Sequence, residues 1–109
     1  MPYIDGIPNG YIFRRQLERL ELYAEQNKDN VHEVTQLMIG INDCVLSSQR
    51  GYKTSGEEKE IKNMSNDEIL TLQLQRLDTL CEENPEKLLE YSRLMIAINN
   101  ELKRMRGKW

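Results

Sequence analysis

The sequence predicts an all-α protein, built as two tandem duplicated antiparallel helical hairpins that form a four-helix bundle. Three observations carry that reading. The stretch Leu37-Met38-Ile39-Gly40-Ile41-Asn42 returns as Leu94-Met95-Ile96-Ala97-Ile98-Asn99. Gln16-Leu17-Glu18-Arg19-Leu20 returns as Gln73-Leu74-Gln75-Arg76-Leu77, and Glu25, Asn27 and Glu33 return as Glu82, Asn84 and Glu90. One offset of about 57 residues, read from Gln16 to Gln73, relates every pair, which is the mark of an internal duplication. Apolar residues recur at spacings of three and four in each copy, the period of a helix with one buried face. The composition is 39% hydrophobic, 30% charged and 6% aromatic, which suits helices with a wide solvated surface. A chain of 109 residues makes a single domain with one modest core.

Residues 1–10 read as an N-terminal arm. Pro2, Gly6, Pro8 and Gly10 punctuate it, and Tyr3, Ile4 and Ile7 supply apolar side chains that fold over a bundle end or grip a partner. The first hairpin covers residues 11–49. Its first helix is expected from about Tyr11 to Glu25, capped by Asn9, with Phe13, Leu17, Leu20 and Ala24 on one face. Gln26-Asn27 makes a short polar turn. The second helix is expected from near Lys28 to about Ser48, with Val31, Val34, Met38, Ile41 and Val45 as a heptad-like seam. Leu37 and Ile39 lie off that seam, so this helix buries more than one face and is central.

Residues 50–64 form a polar linker with Gly51, Gly56 and the run Glu57-Glu58-Lys59-Glu60; Tyr52 is its one ring and a candidate anchor. The second hairpin covers residues 65–109. Ser65-Asn66-Asp67-Glu68 fits a capping box, with Met64 and Ile69 placed as a hydrophobic staple around it. Leu70, Leu74, Leu77 and Cys81 then repeat the first helix's stripe. Asn84-Pro85-Glu86 opens the last helix, because proline at the first helical position loses no hydrogen bond. By the duplication, Asn27 is the matching cap in the first copy. Leu88, Tyr91, Met95, Ile98, Leu102 and Met105 make the last seam, and Gly107 is the expected stop within a basic tail.

Turns this short make the two helices of each copy antiparallel neighbours. Arg19 then lies level with Glu33, and Arg76 with Glu90, as expected cross-hairpin pairs. A pseudo-twofold between the copies would set the candidate assembly core Leu37, Met38, Ile39 and Ile41 against Leu94, Met95, Ile96 and Ile98. Gly40 and Ala97 would let the backbones approach. The alternative is a bundle completed by dimerisation, with hairpins exchanged between chains. Asn42 and Asn99 end the shared stretch and are expected at its exposed edge.

Catalytic and metal chemistries lack their residue sets. A di-metal carboxylate bundle needs two Glu-x-x-His pairs, and His32 is the only histidine, with no acid three residues before it. Nucleophilic catalysis would require His32 with Cys44 or Cys81, yet His32 lies near a helix start far from Cys44. No Gly-rich phosphate loop occurs. The expectation is therefore no enzyme, no cofactor and no metal. No export signal or membrane-length apolar run is read, and the two thiols sit at non-equivalent positions, so a cytoplasmic protein with reduced cysteines is expected.

The net charge of −3 argues against a dedicated nucleic-acid coat and leaves room for a local basic patch. Candidate partner or phosphate contacts are Arg14, Arg15, Lys103, Arg104, Arg106, Lys108 and Trp109, where cations accompany one stacking ring. The function expected is that of a non-catalytic interaction protein, an adaptor or inhibitor of the kind viruses and mobile elements encode. It would act on another protein and is expected as a homo-oligomer. The alternative is a nucleic-acid or nucleotide binder using Arg14, Arg15 and the tail.

Overall fold

The computed structural model describes residues 3–4, 6–48, 57–58 and 60–106, with side chains described for 6–48 and 60–106. The expected anchor Tyr52, the helix stop Gly107 and the tail residues Lys108 and Trp109 lie outside the described residues. Four helices make the fold: α1 (Asn9–Gln26), α2 (Val31–Ser48), α3 (Asn66–Glu83) and α4 (Leu88–Arg106). Part of the arm, β1 (Tyr3–Ile4), pairs antiparallel with β2 (Glu57–Glu58) of the linker and lies against α3. The protein is an all-α four-helix bundle of two hairpins.

The duplication is visible in backbone detail. Asn27 and Asn84 have nearly the same conformation, φ −131°, ψ 65° and φ −132°, ψ 67°. Each is followed by one 3-10 turn, Lys28–Asn30 or Pro85–Lys87, before the next α-helix. Neither asparagine side chain caps the helix that follows. Asn27 Nδ2 donates to the Tyr23 carbonyl at 2.9 Å, and Asn84 Nδ2 to the Leu80 carbonyl at 3.3 Å. The two side-chain amides thus add a second donor to carbonyls at the end of the preceding helix that already accept the asparagine backbone amides, at 2.9 and 2.8 Å. At the start of α1 the cap position falls to Pro8, and Asn9 sits inside the helix, buried. The capping box of α3 forms as expected, with the Ser65 amide donating to Glu68 Oε1 at 3.1 Å. Its staple differs: Met64 is buried against Leu72, and Ile69 stays 40% exposed.

The helices of each hairpin are antiparallel, and those of the first lie closer together than those of the second. Between hairpins the arrangement is parallel, not pseudo-twofold. α1 lies beside α3, where Arg15 and Arg19 meet Asp78 and Arg19 also meets Glu82. α2 lies beside α4, where Glu33 pairs with Arg93, Gly40 meets Ile96, and Asp43 pairs with Lys103. Residue numbers rise together along both contacts. The second copy is therefore stacked on the first as the next layer of a helical repeat is stacked.

Stacking of this kind uses opposite faces of the two copies. The first hairpin buries Phe13, Gln16, Val34, Leu37 and Ile41. In the second, α4 buries Leu88, Ser92, Met95, Asn99 and Leu102, a set one residue round the helix from the Val34, Leu37, Ile41 and Cys44 that α2 buries. Identical sequence thus meets different surroundings. Leu37 is buried and its copy Leu94 is 46% exposed, while Met95 is fully buried and its copy Met38 only half-buried. One continuous core results, running through Phe13, Leu20, Ile41, Leu74, Leu77 and Met95.

Candidate interaction surfaces

A polar seam crosses the core between the repeats. Gln16 Nε2, fully buried on α1, donates to Ser92 Oγ on α4 at 2.8 Å, and that hydroxyl donates to the Leu88 carbonyl at 2.9 Å. Arg19 donates to Gln16 Oε1 at 2.8 Å, to Asp78 Oδ1 at 2.8 Å and to Glu82 Oε1 at 3.0 Å. Arg15 reaches Asp78 Oδ2 at 2.5 Å. Burial by itself lowers the pKa of Arg19; the Asp78 hydrogen bond and charge, with Glu82, outweigh it and raise the net value. Arg19 does not pair with Glu33, which goes to Arg93 on α4, and Arg76 donates to Gln73 Oε1 at 3.2 Å. The pair expected for Arg19 within the first hairpin is thus replaced by pairs between hairpins, whereas Arg76 bonds within its own helix. The parallel stack sets Asp78 and Glu82 of α3 beside Arg15 and Arg19 of α1.

The candidate contacts at the basic end are largely neutralised. Arg14 pairs with Glu18 at 3.3 Å, Arg15 with Asp78, Lys103 with Asp43 at 2.8 Å, and Arg104 with Glu101. α1 begins and α4 ends at the same end of the bundle, where Arg106, Asn9 and Asn99 line a small cleft. Asn99 is buried and donates to Ser47 Oγ at 3.0 Å, whereas Asn42 is exposed. The exposed edge expected for both asparagines holds for Asn42 alone, because the two copies present different faces.

The expected assembly core divides. Leu37, Ile41 and Met95 are buried, Met38, Ile96 and Ile98 are partly buried against the core, and Ile39 (68% exposed) and Leu94 face outward. Gly40 does admit a close neighbour: a Cβ built there would lie 2.7 Å from Ile96 Cδ1. Its copy Ala97 is exposed.

Among the described residues, these placements leave two faces only partly covered, with Tyr91 and Ile98 on one and Met38 and Val45 on the other packed in part against the core. One, on the second hairpin, carries Leu70, Gln73, Tyr91, Leu94 and Ile98, all exposed or half-buried. The other, on the first hairpin, carries Val31 (53% exposed), Thr35, Met38, Asn42 and Val45. Periodicity alone could not find them, since each stripe is wide enough to be buried in two ways. The signal available was width: α2 has apolar residues on more than one face.

The two thiols are poorly set for chemistry. Burial, with Asp43 nearby, pushes the Cys44 thiol up to about 12, and burial also raises Cys81. His32 is exposed, with Gln36 as its neighbour, and lies roughly 18 Å along α2 from Cys44 at the rise of a helix. Among the described residues no group of three or more histidine, cysteine or acidic side chains is placed to hold a metal ion, and no helix is long and apolar enough to cross a membrane.

Fold and surface together define a protein of two stacked helical hairpins. No protein-family model, curated protein or solved structure matches the chain.

Proposed function

We propose that this is a non-catalytic helical-repeat module that binds another protein and modulates it, as an adaptor or inhibitor. The observation that carries this reading is the pair of wide faces that the stack leaves partly exposed among the described residues. Tyr91, Leu94, Ile98 and Leu70 gather one aromatic and three aliphatic side chains on one side of the second hairpin. That mixture is what the centre of a protein interface uses. Exposed leucines scattered singly need no explanation, but a face equivalent to a buried one does. The neutralised arginines and lysines weigh against phosphate as the main ligand, since ion-paired cations release few counterions on binding.

The test compares tagged wild-type protein with tagged Leu94→Asp in the source cells. A protein other than the chain itself should be captured by the wild type and lost from the variant. Once purified, it should bind the wild type at least about tenfold more tightly than the variant, a difference of roughly 1.4 kcal/mol. A partner that binds both equally would remove the face from the reading. Affinity that resides in nucleic acid and falls steeply with salt would replace it with the alternative based on Arg14, Arg15 and the basic tail.

A further inference from the structure

We infer that the open face of the second hairpin docks onto the open face of the first hairpin in another copy of this chain, extending the stack head to tail. The inference rests on the reading of those faces as binding surfaces and names one occupant for them. The argument is that the molecule already contains this interface once. Within the chain, one face of the first hairpin packs on the opposite face of the second. The duplication supplies the second hairpin with its own version of the first face. It supplies the first hairpin with its own version of the other. Among the described residues, both versions are exposed at their polar and outermost positions, Gln73, Arg76 and Leu94 on one and Glu21, Glu25, Val31 and Thr35 on the other, while Tyr91, Ile98, Met38 and Val45 pack partly against the core.

The polar seam shows how closely the uncovered pair repeats the covered one. Gln16 bonds Ser92 inside the chain; the equivalents are Gln73 and Thr35, an amide and a hydroxyl, both exposed. Arg19 pairs with Asp78 and Glu82; the equivalents are Arg76 opposite Glu21 and Glu25, again a cation and two carboxylates, and all three are exposed. Arg76 is already held by Gln73 as Arg19 is held by Gln16. The apolar parts follow the same rule, with Leu37 and Leu88 buried within the chain and their equivalents Leu94 and Val31 exposed.

The repetition has limits, and none opposes like charges. Arg15–Asp78 becomes Leu72, which is buried against Met64 in its own chain, and Glu21; Glu33–Arg93 becomes Glu90 and Gln36, and Asp43–Lys103 becomes Asn100 and Leu46. Ala97 replaces Gly40 opposite Ile39, so the tip of a flexible isoleucine must turn aside. A docking of unlike faces is heterologous: it closes as a ring or continues as a filament, and an open stack keeps one free face at each end for another protein.

Two substitutions at exposed sites test the proposal by sedimentation velocity and light scattering of the full chain. Leu94→Asp disables only the second hairpin's face, and Val31→Asp only the first hairpin's. The wild type should show a mass that rises with concentration to multiples of its 12.9 kDa. Each variant alone should be monomeric, with unchanged helicity by circular dichroism. An equimolar mixture should give a one-to-one heterodimer, because each variant retains the face the other lacks. Charge reversal gives an independent readout: Arg76→Glu should be monomeric alone and associate when mixed with the doubly substituted Glu21→Arg, Glu25→Arg chain. A monomeric wild type at every concentration, either single variant still associating alone, or a mixture that stays monomeric would overturn the inference. A monomeric wild type would leave the capture of another protein by Leu94 standing, since that experiment reads a different chain.

Discussion

Asp78 is the residue on which the contact between α1 and α3 turns. Its two oxygens receive Arg15 and Arg19, and both Asp78 and Arg19 are largely shielded from water. Asp78→Asn removes the charge that offsets the desolvation of Arg19. It should destabilise the protein by about 1–3 kcal/mol in urea denaturation, more than the loss of an exposed pair such as Arg14–Glu18, which is worth under ~1 kcal/mol. Cys44 gives a second expectation at this scale. Its thiol ionises near 9 in an open chain and near about 12 when folded. Below pH 9 both states keep the proton and the thiol has no effect on stability. Between pH 9 and about 12 the unfolded chain has released its proton while the folded chain retains it, so stability falls as pH rises. One thiol contributes a slope of at most about 1.4 kcal/mol per pH unit, with Cys81 acting in the same direction. Urea titrations at stepped alkaline pH should show a shallower loss for Cys44→Ala than for the wild type. In a thiol assay at pH 8, neither cysteine should react until the protein is unfolded.

At the scale of elements, Gly40 and Ala97 separate two effects that sequence alone merges. Gly40 faces Ile96 at the contact between α2 and α4, and added atoms there meet a neighbour at once. Gly40→Val should cost about 2 kcal/mol through overpacking. Gly40→Ala should stay within about 1 kcal/mol of the wild type, since gained helix propensity offsets a shift of the Ile96 tip. Ala97 is exposed, so Ala97→Gly should cost about 1 kcal/mol by propensity alone. Chemical denaturation of the three variants checks the ordering. The start of α3 provides a further test. Ser65→Ala breaks the capping box and should cost about 1 kcal/mol, read as a lower denaturation midpoint with unchanged slope.

At the scale of the molecule, the two copies share one core and should unfold as one unit. Phe13, Leu20 and Ile41 of the first hairpin and Leu74 and Met95 of the second belong to a single buried cluster. Circular dichroism and tyrosine fluorescence should therefore trace one coincident transition in urea; two separated transitions would mean that the hairpins fold independently. The helices, their order and their short turns were legible in the chain because they rest on local chemistry. A period of three and four marks the stripes, and Ser65, Glu68 and Pro85 mark helix starts through groups within one turn. The duplication was legible because it is a property of the sequence itself. What only the tertiary structure decided is which side of each wide apolar stripe is buried. Leu37 and Leu94 have the same identity and each is followed by Met-Ile within an apolar stripe of the same period, so periodicity does not separate them. Their fates diverge because the second hairpin stacks parallel on the first, and a stack of two identical layers must cover one face of each and leave the opposite faces open.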